Sequence, residues 1–492
     1  MDHLFFITII IVGANCMTET TINPQNTSVT SAGTPPQIKN VTSLNICDTC
    51  QCSVDLINCT GRQLTHHFEN GSWPVSTIPI KVVNFEENSI IHIRKFPNII
   101  INKLILRFNK IVRIDDKVFE QIRNLTELDL SHNHLTSDML RPSIFQGRYN
   151  PNQWEPLPKL RVLNLGHNNL HTLNPDIFAH VPDIEVLILS GNPLDIIDHS
   201  SILALSSLYY LQELSLEYCN LQTLPDHLFH VHKMSLKKLY LNGNRLTILP
   251  STLMDAKALE YLNLDGNTFE VFDHVNAFPK LPMLKKLSLR ALSRLIKIGS
   301  GAFSHLTALE ELYLSECPRL QDINENATLL PDINGETWPP LKKLDLSNNR
   351  LKYLPENLVG EWNKLEELHI TGNEWSCDCK NQYLVGTILP TFGAVLMNDD
   401  VDKMFCSGPP EHAGKIMSSL KNRKLRCLDL YGARPERDAA ILVGSLIAIL
   451  IVIPIVLTFL LLWRRGFFIC NEQHPATFSR AFYQRASNDD YT

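Results

Sequence analysis

The sequence has no excess of basic side chains. Its 45 Lys and Arg face 51 Asp and Glu, a formal charge of -6, and that balance argues against nucleic acid as a partner, since such binders carry a basic stripe or patch. It also lacks the motifs on which common enzyme chemistry is mounted. There is no Gly-rich phosphate loop, no His-Glu-x-x-His and no Gly-x-Ser-x-Gly, and the 18 histidines show no metal-ligand spacing. The adjacent His66 and His67 are expected to be solvated in a loop rather than catalytic. No enzyme activity, metal or cofactor is therefore expected.

Long hydrophobic runs are scarce as well, and two stand out. Leu4 to Val12 is an apolar run of nine, too short for ~30 Å of hydrocarbon and suited to the core of a signal peptide, with a cut expected after Cys16. The second, residues 439–463, is 25 residues without a charge and is expected to be a transmembrane helix, kinked at Pro454. Arg464 and Arg465 follow it as a cytoplasmic flank would, but Lys421, Arg423, Lys424, Arg426, Arg434 and Arg437 precede it, so a bare charge count favours the opposite orientation. The signal peptide overrules that count. The Asn-x-Ser/Thr sequons at Asn26, Asn40, Asn58, Asn70, Asn124 and Asn326 all precede the span and none follows it. The expectation is a single-pass plasma-membrane protein of type I, glycosylated at those six positions, with its N-terminus outside.

The region before the span is filled by one repeated unit, L-x-x-L-x-L-x-x-N-x-L. Copies begin at Ile80, Ile101, Leu125, Leu160, Ile184, Leu211, Leu236, Leu259, Leu284, Leu309, Leu341 and Leu365, and the stretches from Leu125, Leu160 and Leu341 match at every fixed position. Each copy supplies one short strand that cannot bury its leucines without a neighbour, so a solenoid follows. The ninth-position Asn is placed to satisfy backbone groups where the chain leaves the strand. Cys219 and Cys317 occupy that position in the sixth and tenth copies, about 19 Å apart at ~4.8 Å per strand and so out of bonding range of each other. Phe119, Phe178, Phe229 and Phe303, eight residues after each copy's last apolar position, are expected to pack as a spine on the convex side. Two long intervals, Ser137 to Lys159 and Asp322 to Pro340, are rich in Pro and Asn and are expected to be loops.

These residues resemble the extracellular leucine-rich repeat family. The flanks carry the likeness further: Cys47, Cys50, Cys52 and Cys59 stand as C-x2-C-x-C-x6-C before the first copy, and Asn-Glu-Trp-Ser-Cys-Asp-Cys runs the last copy into a second group with Cys406 and Cys427. The resemblance implies an α/β solenoid of horseshoe shape with disulfide-stapled caps. It also implies the pairs Cys47 with Cys52, Cys50 with Cys59, Cys377 with Cys406, and Cys379 with Cys427. Zinc is the alternative for such clusters, disfavoured in the oxidising compartment of an exported chain. The expected organisation is 1–16 signal peptide, 17–46 disordered segment, 47–79 N-terminal cap, 80–376 about twelve repeats, 377–428 C-terminal cap, 429–438 linker, 439–463 membrane helix and 464–492 cytoplasmic tail.

Within each strand the third, fifth and seventh residues face outward on the concave sheet. There Tyr240, Tyr261, Tyr313 and Arg290, with Tyr218 beside them at an eighth position, are candidates for partner contact, because Tyr and Arg dominate interface hot spots. The second and third positions alternate in sign from copy to copy: Lys237-Lys238, Glu260-Tyr261, Lys285-Lys286, Glu310-Glu311, Lys342-Lys343, Glu366-Glu367. That is expected to be a cross-strand ladder controlling register and solubility, with Glu310 satisfied by Lys285 and Lys342. The tail is too short for the signalling domain of Toll-like receptors, so signalling needs a recruited cytoplasmic adaptor. Cys470 is a palmitoylation candidate, and Tyr483, Ser487 and Tyr491 are phosphorylation candidates. Two functions remain: a cell-surface receptor binding an extracellular or cell-surface protein in adhesion or recognition, and a modulator or co-receptor capturing a secreted ligand, of the Wnt-modulating kind.

Overall fold

The computed structural model describes residues 45–68, 71–74, 79–150, 153–154, 157–232, 235–273, 277–332, 335–427 and 435–465. The signal-peptide segment, residues 17–44 of the segment expected to be disordered, Asn70, Cys470 and the tail residues after 465 lie outside them, as do Asn26 and Asn40. The last two residues of that segment are instead part of the N-terminal cap, Asn45 capping the short helix Ile46–Thr49 and Ile46 being buried.

Among the described residues the repeats form one sheet of 14 strands, twelve from the repeats and two from the N-terminal cap. Every repeat strand pairs in parallel with the next, and the register sets leucine against leucine: Leu128, Leu163, Leu187, Leu214, Leu239, Leu262, Leu287, Leu312, Leu344 and Leu368 follow one another across the sheet. A slip of one residue would turn this whole row outward. These fourth-position side chains are buried, as are the sixth-position residues Leu130, Leu165, Leu216 and Leu241, so each coil completes its neighbour's core.

The ninth-position Asn has the role expected of it. Asn168 donates to the carbonyls of Leu130, Leu165 and Gly166 at 3.0 to 3.2 Å, while its Oδ1 accepts the amide of Leu135. Buried Cys219 substitutes by donating its thiol to the carbonyls of Leu189 and Glu217 at 3.4 and 3.3 Å, and Cys317 does the same to Leu289 and Ser315. Burial pushes both thiols up to about 12. The eighth-position residue takes positive φ in all twelve repeats, from Glu87 to Gly372, because the chain must turn sharply out of the strand there.

The convex side is built from turns, short 3-10 segments and the helix His199–Ser206, capped by Asp198. Phe96, Phe119 and Phe145 stack there at 6.1 Å between rings, and Phe278 meets Phe303 at 5.4 Å; Phe178 and Phe229 are equally buried. The two long intervals are not simple loops. Tyr149–Asn150 with Gln153–Trp154, and Leu330–Asp332 with Gly335–Thr337, pair as antiparallel hairpins.

Both ends of the core are lidded. In the N-terminal cap, Leu56–Asn58 joins the sheet beside Ile80–Asn84, and Gln51–Cys52 pairs with it antiparallel, which closes the open edge. Disulfides link Cys47 to Cys52 and Cys50 to Cys59, with Cα atoms 5.5 and 4.6 Å apart. His67 departs from the solvated loop expected of it: it is 3% exposed and stacks on Phe96 at 4.7 Å. Its Nε2 accepts the amide of Arg94 at 2.8 Å, so it is a buried acceptor that satisfies backbone under the first coil. At the other end Trp375 is buried with its indole nitrogen donating to Ile370, and disulfides join Cys377 to Cys406 and Cys379 to Cys427. The final helix, Pro435–Arg464, starts inside the segment expected as a linker. Its residues Ala439–Arg464 are long and apolar enough to cross a membrane: 26 residues at 1.5 Å each reach about 39 Å.

Candidate functional site

Outward strand positions are where a solenoid's surface chemistry is free to vary, because the alternate positions are committed to the core. Register places Lys238 beside Tyr261, then Lys286, Glu311 and Lys343, and in the next outward row Tyr240, Asn263, Ser288, Tyr313 and Asp345. From these rows four of the five candidate residues come together. Tyr240 meets Tyr261 edge-on at 5.2 Å between ring centres. Lys286 Nζ lies 5.6 Å from the Tyr261 ring and 4.9 Å from the Tyr313 ring while pairing with Glu311 at 3.0 Å. The guanidinium of Arg290 stacks over Tyr313 at 4.2 Å, pairs with Asp345 at 3.6 Å, and its backbone amide donates to Asp265 at 2.6 Å. Tyr313 in turn donates its hydroxyl to Glu311 at 2.9 Å.

The result is a continuous aromatic and cationic platform spanning repeats seven to ten, with Asp345 of repeat eleven pairing its far end. Burial pushes the Tyr261 and Tyr313 hydroxyls up to about 12, and Glu311 adds to the effect on Tyr313; both stay protonated donors at any physiological pH. Burial likewise raises the Asp265 carboxyl, against the Ser288 and Arg290 hydrogen bonds that lower it. Each long side chain is already held by a neighbour, so a partner would find these groups ordered and the entropic cost of docking reduced.

Tyr218 does not join the platform. It stands 59% exposed at its eighth position, leaning over the next coil so that a Cβ on Gly243 would fall 2.2 Å from its ring. A parallel aromatic row runs along the same edge nearer the N-terminus, where Phe108, His132 and His167 stack at 4.1 Å. The alternating charges form a ladder with a finer rule than expected. Glu260 takes Lys285 at 3.1 Å and Glu310 takes Lys342 at 2.6 Å, so Glu310 has one ladder partner, not two. Third-position pairs interleave: Glu213 with Lys238, Lys286 with Glu311, and Lys343 with Glu367. All are partly exposed, and pairs of this kind contribute about 0 to 1 kcal/mol each.

Of the sequons, Asn58, Asn124 and Asn326 are described. Asn58 lies in the cap strand and accepts the amide and hydroxyl of Thr60; Asn124 precedes the third repeat strand and accepts Lys159 Nζ at 2.8 Å; Asn326 follows the convex strand Asp322–Ile323. The histidines hold one surprise. His227, His230 and Asp255 converge on the convex side with their donor atoms all within 4.8 Å of one another, a grouping that the sequence conceals because Asp255 belongs to the next coil.

Comparison with known proteins gives the class. Family models described as Leucine rich repeat match residues 101–147, 151–208, 209–269 and 340–360, and the chain is a leucine-rich repeat protein. It is 25% identical over 304 residues to CD180 antigen of Mus musculus, covering 61% of this chain and 39% of that protein. To Tsukushi of Gallus gallus it is 28% identical over 268 residues, 54% of this chain and 60% of that one. The chain thus spans about 39 to 60% of the length of these relatives. Among solved structures, human trophoblast glycoprotein matches with a TM-score of 0.35 at 19% identity, over 77% of this chain and 98% of that one.

Proposed function

We propose that this protein is a cell-surface receptor that binds a protein partner on the concave face of its solenoid, with the solenoid outside the membrane and the function one of adhesion or cell recognition. The observation that carries the reading is the platform of Tyr240, Tyr261, Lys286, Arg290 and Tyr313, whose rings and cations are locked together by contacts of 4.2 to 5.6 Å. Ordered tyrosines with an arginine are the composition of interface anchors. No Asn-x-Ser/Thr sequon stands at an outward strand position of repeats seven to twelve, so attached sugars would leave this stretch open. The apolar helix Ala439–Arg464 supplies the anchor that holds such a surface at the cell boundary.

The test begins with a binding screen of the chain against cell-surface and secreted proteins, followed by titration of variants against the partner found. Tyr240→Ala, Tyr261→Ala and Arg290→Ala should each weaken binding by about 1 to 3 kcal/mol, with thermal melts alongside to show that the fold persists. Glu310→Lys, which breaks its pair with Lys342, should lower stability slightly and leave affinity nearly unchanged. Unchanged affinity in all three platform variants would move the site to the hairpin insertions or the convex turns.

A further inference from the structure

On the convex side of the sixth repeat the chain turns tightly at 226–230, closed by the amide of His230 donating to the carbonyl of His227 at 3.0 Å. That turn brings the two imidazoles edge to face with their centres 6.2 Å apart. His227 holds a φ of +61°, a conformation that costs a non-glycine residue free energy unless its surroundings hold it there. The neighbouring coil is clamped against this turn by two further bonds: the hydroxyl of Thr252 accepts the amide of Phe229 at 3.2 Å, and the hydroxyl of Ser251 donates to Asp226. The clamp delivers Asp255, last residue of the short segment Ser251–Asp255, to the histidines. Its Oδ2 lies 3.2 Å from His227 Nδ1.

We propose that His227, His230 and Asp255 form a binding site for one divalent transition ion of the zinc class. Two imidazoles and a carboxylate are a donor set for such ions and a poor one for calcium or magnesium, which prefer oxygen alone. The geometry is close to what the ion needs. Two ligands about 2.0 to 2.1 Å from a tetrahedral centre stand about 3.3 Å apart, and the His227 to Asp255 distance is 3.2 Å. All three donor atoms already lie within 4.8 Å of one another, and His230 is exposed, so rotation about its two χ angles can close the remainder. The bound ion would replace the hydrogen bond between His227 and Asp255. Its fourth position would face solvent, open to water or to a donor from another molecule. Because the ligands come from adjacent coils, the ion would also staple repeat six to repeat seven.

The experiment uses the full chain in detergent without an affinity tag of histidines. Zinc is titrated against a chromophoric chelator, cobalt is added in parallel for its ligand-field absorption, and melting temperature is recorded with and without zinc. The expected result is one zinc per chain, a cobalt spectrum typical of a low-coordinate nitrogen and oxygen site, a rise in melting temperature with zinc, and no response to calcium or magnesium. His230→Ala and Asp255→Asn should each weaken zinc binding by at least roughly tenfold and abolish the thermal shift, while leaving the zinc-free circular dichroism unchanged. His227→Asn, which tolerates the positive φ, should do the same. Zinc bound equally well by all three variants, or no zinc bound by the unaltered chain, would overturn the proposal.

Discussion

His67 shows how much one side chain depends on its surroundings. Burial pushes its imidazole down to about 4 from an ordinary 6.5, because the charged form would be desolvated, and its Nε2 would lose the amide of Arg94 that it now accepts. The folded chain therefore binds fewer protons than the unfolded chain between these two values. The contribution of neutral His67 is complete above pH 6.5 and is lost as pH falls toward 4. The gap corresponds to about 3 kcal/mol at 1.36 kcal/mol per pH step. Measured against the intrinsic exchange rate at each pH, the protection of amides in the N-terminal cap should fall on acidification through this window. His67→Gln, which keeps an acceptor but does not titrate, should flatten that dependence; an unchanged pH profile in the variant would show that another group is responsible.

At the scale of the strand and its turn, the eighth position is where backbone and side chain constrain each other. Gly243 has a φ of +68° and lies beneath the ring of Tyr218. Gly243→Ala is expected to cost about 1 to 2 kcal/mol for the left-handed backbone alone, and more for the collision. In a Tyr218→Ala background the collision disappears and only the backbone cost remains. Chemical denaturation of the two single variants and the double variant measures the difference, and strict additivity would mean that the tyrosine moves aside freely. The same positions explain why the turns were legible in advance only in part. Asn in the ninth place was visible as a satisfier of backbone groups, but which eighth residue leans over which glycine depends on the register of two coils.

For the whole molecule, the proposed arrangement puts the repeats outside and the tail inside the cell. Glycosidase treatment of the expressed protein should lower its mass, and an epitope placed after Thr492 should stain permeabilised cells alone. Staining of intact cells would reverse the orientation, as would an unglycosylated chain together with such staining. The basic residues before the span, which by count favour the reversed topology, include Lys421, Arg423 and Lys424, which follow the cap segment Met417–Leu420. They belong to a folded cap, where charge has less influence on insertion than in a short loop.

The solenoid was determined by the sequence because its signal is local and repeated: leucines at fixed spacing bury one face of every strand, and twelve copies leave one way to stack them. The caps, the spine and the ninth-position ladder follow from the same requirement that no core edge or backbone group be left open. What the tertiary structure decided are the contacts between coils, made by residues 23 to 55 positions apart whose pairing no periodicity states. Glu310 turns to Lys342 and leaves Lys285 to Glu260; Arg290 finds Tyr313 and Asp345; Asp255 reaches His227. In each case the partner lies one or two strand spacings away, and the choice among side chains of suitable charge falls to reach and packing, which exist only once the coils are stacked.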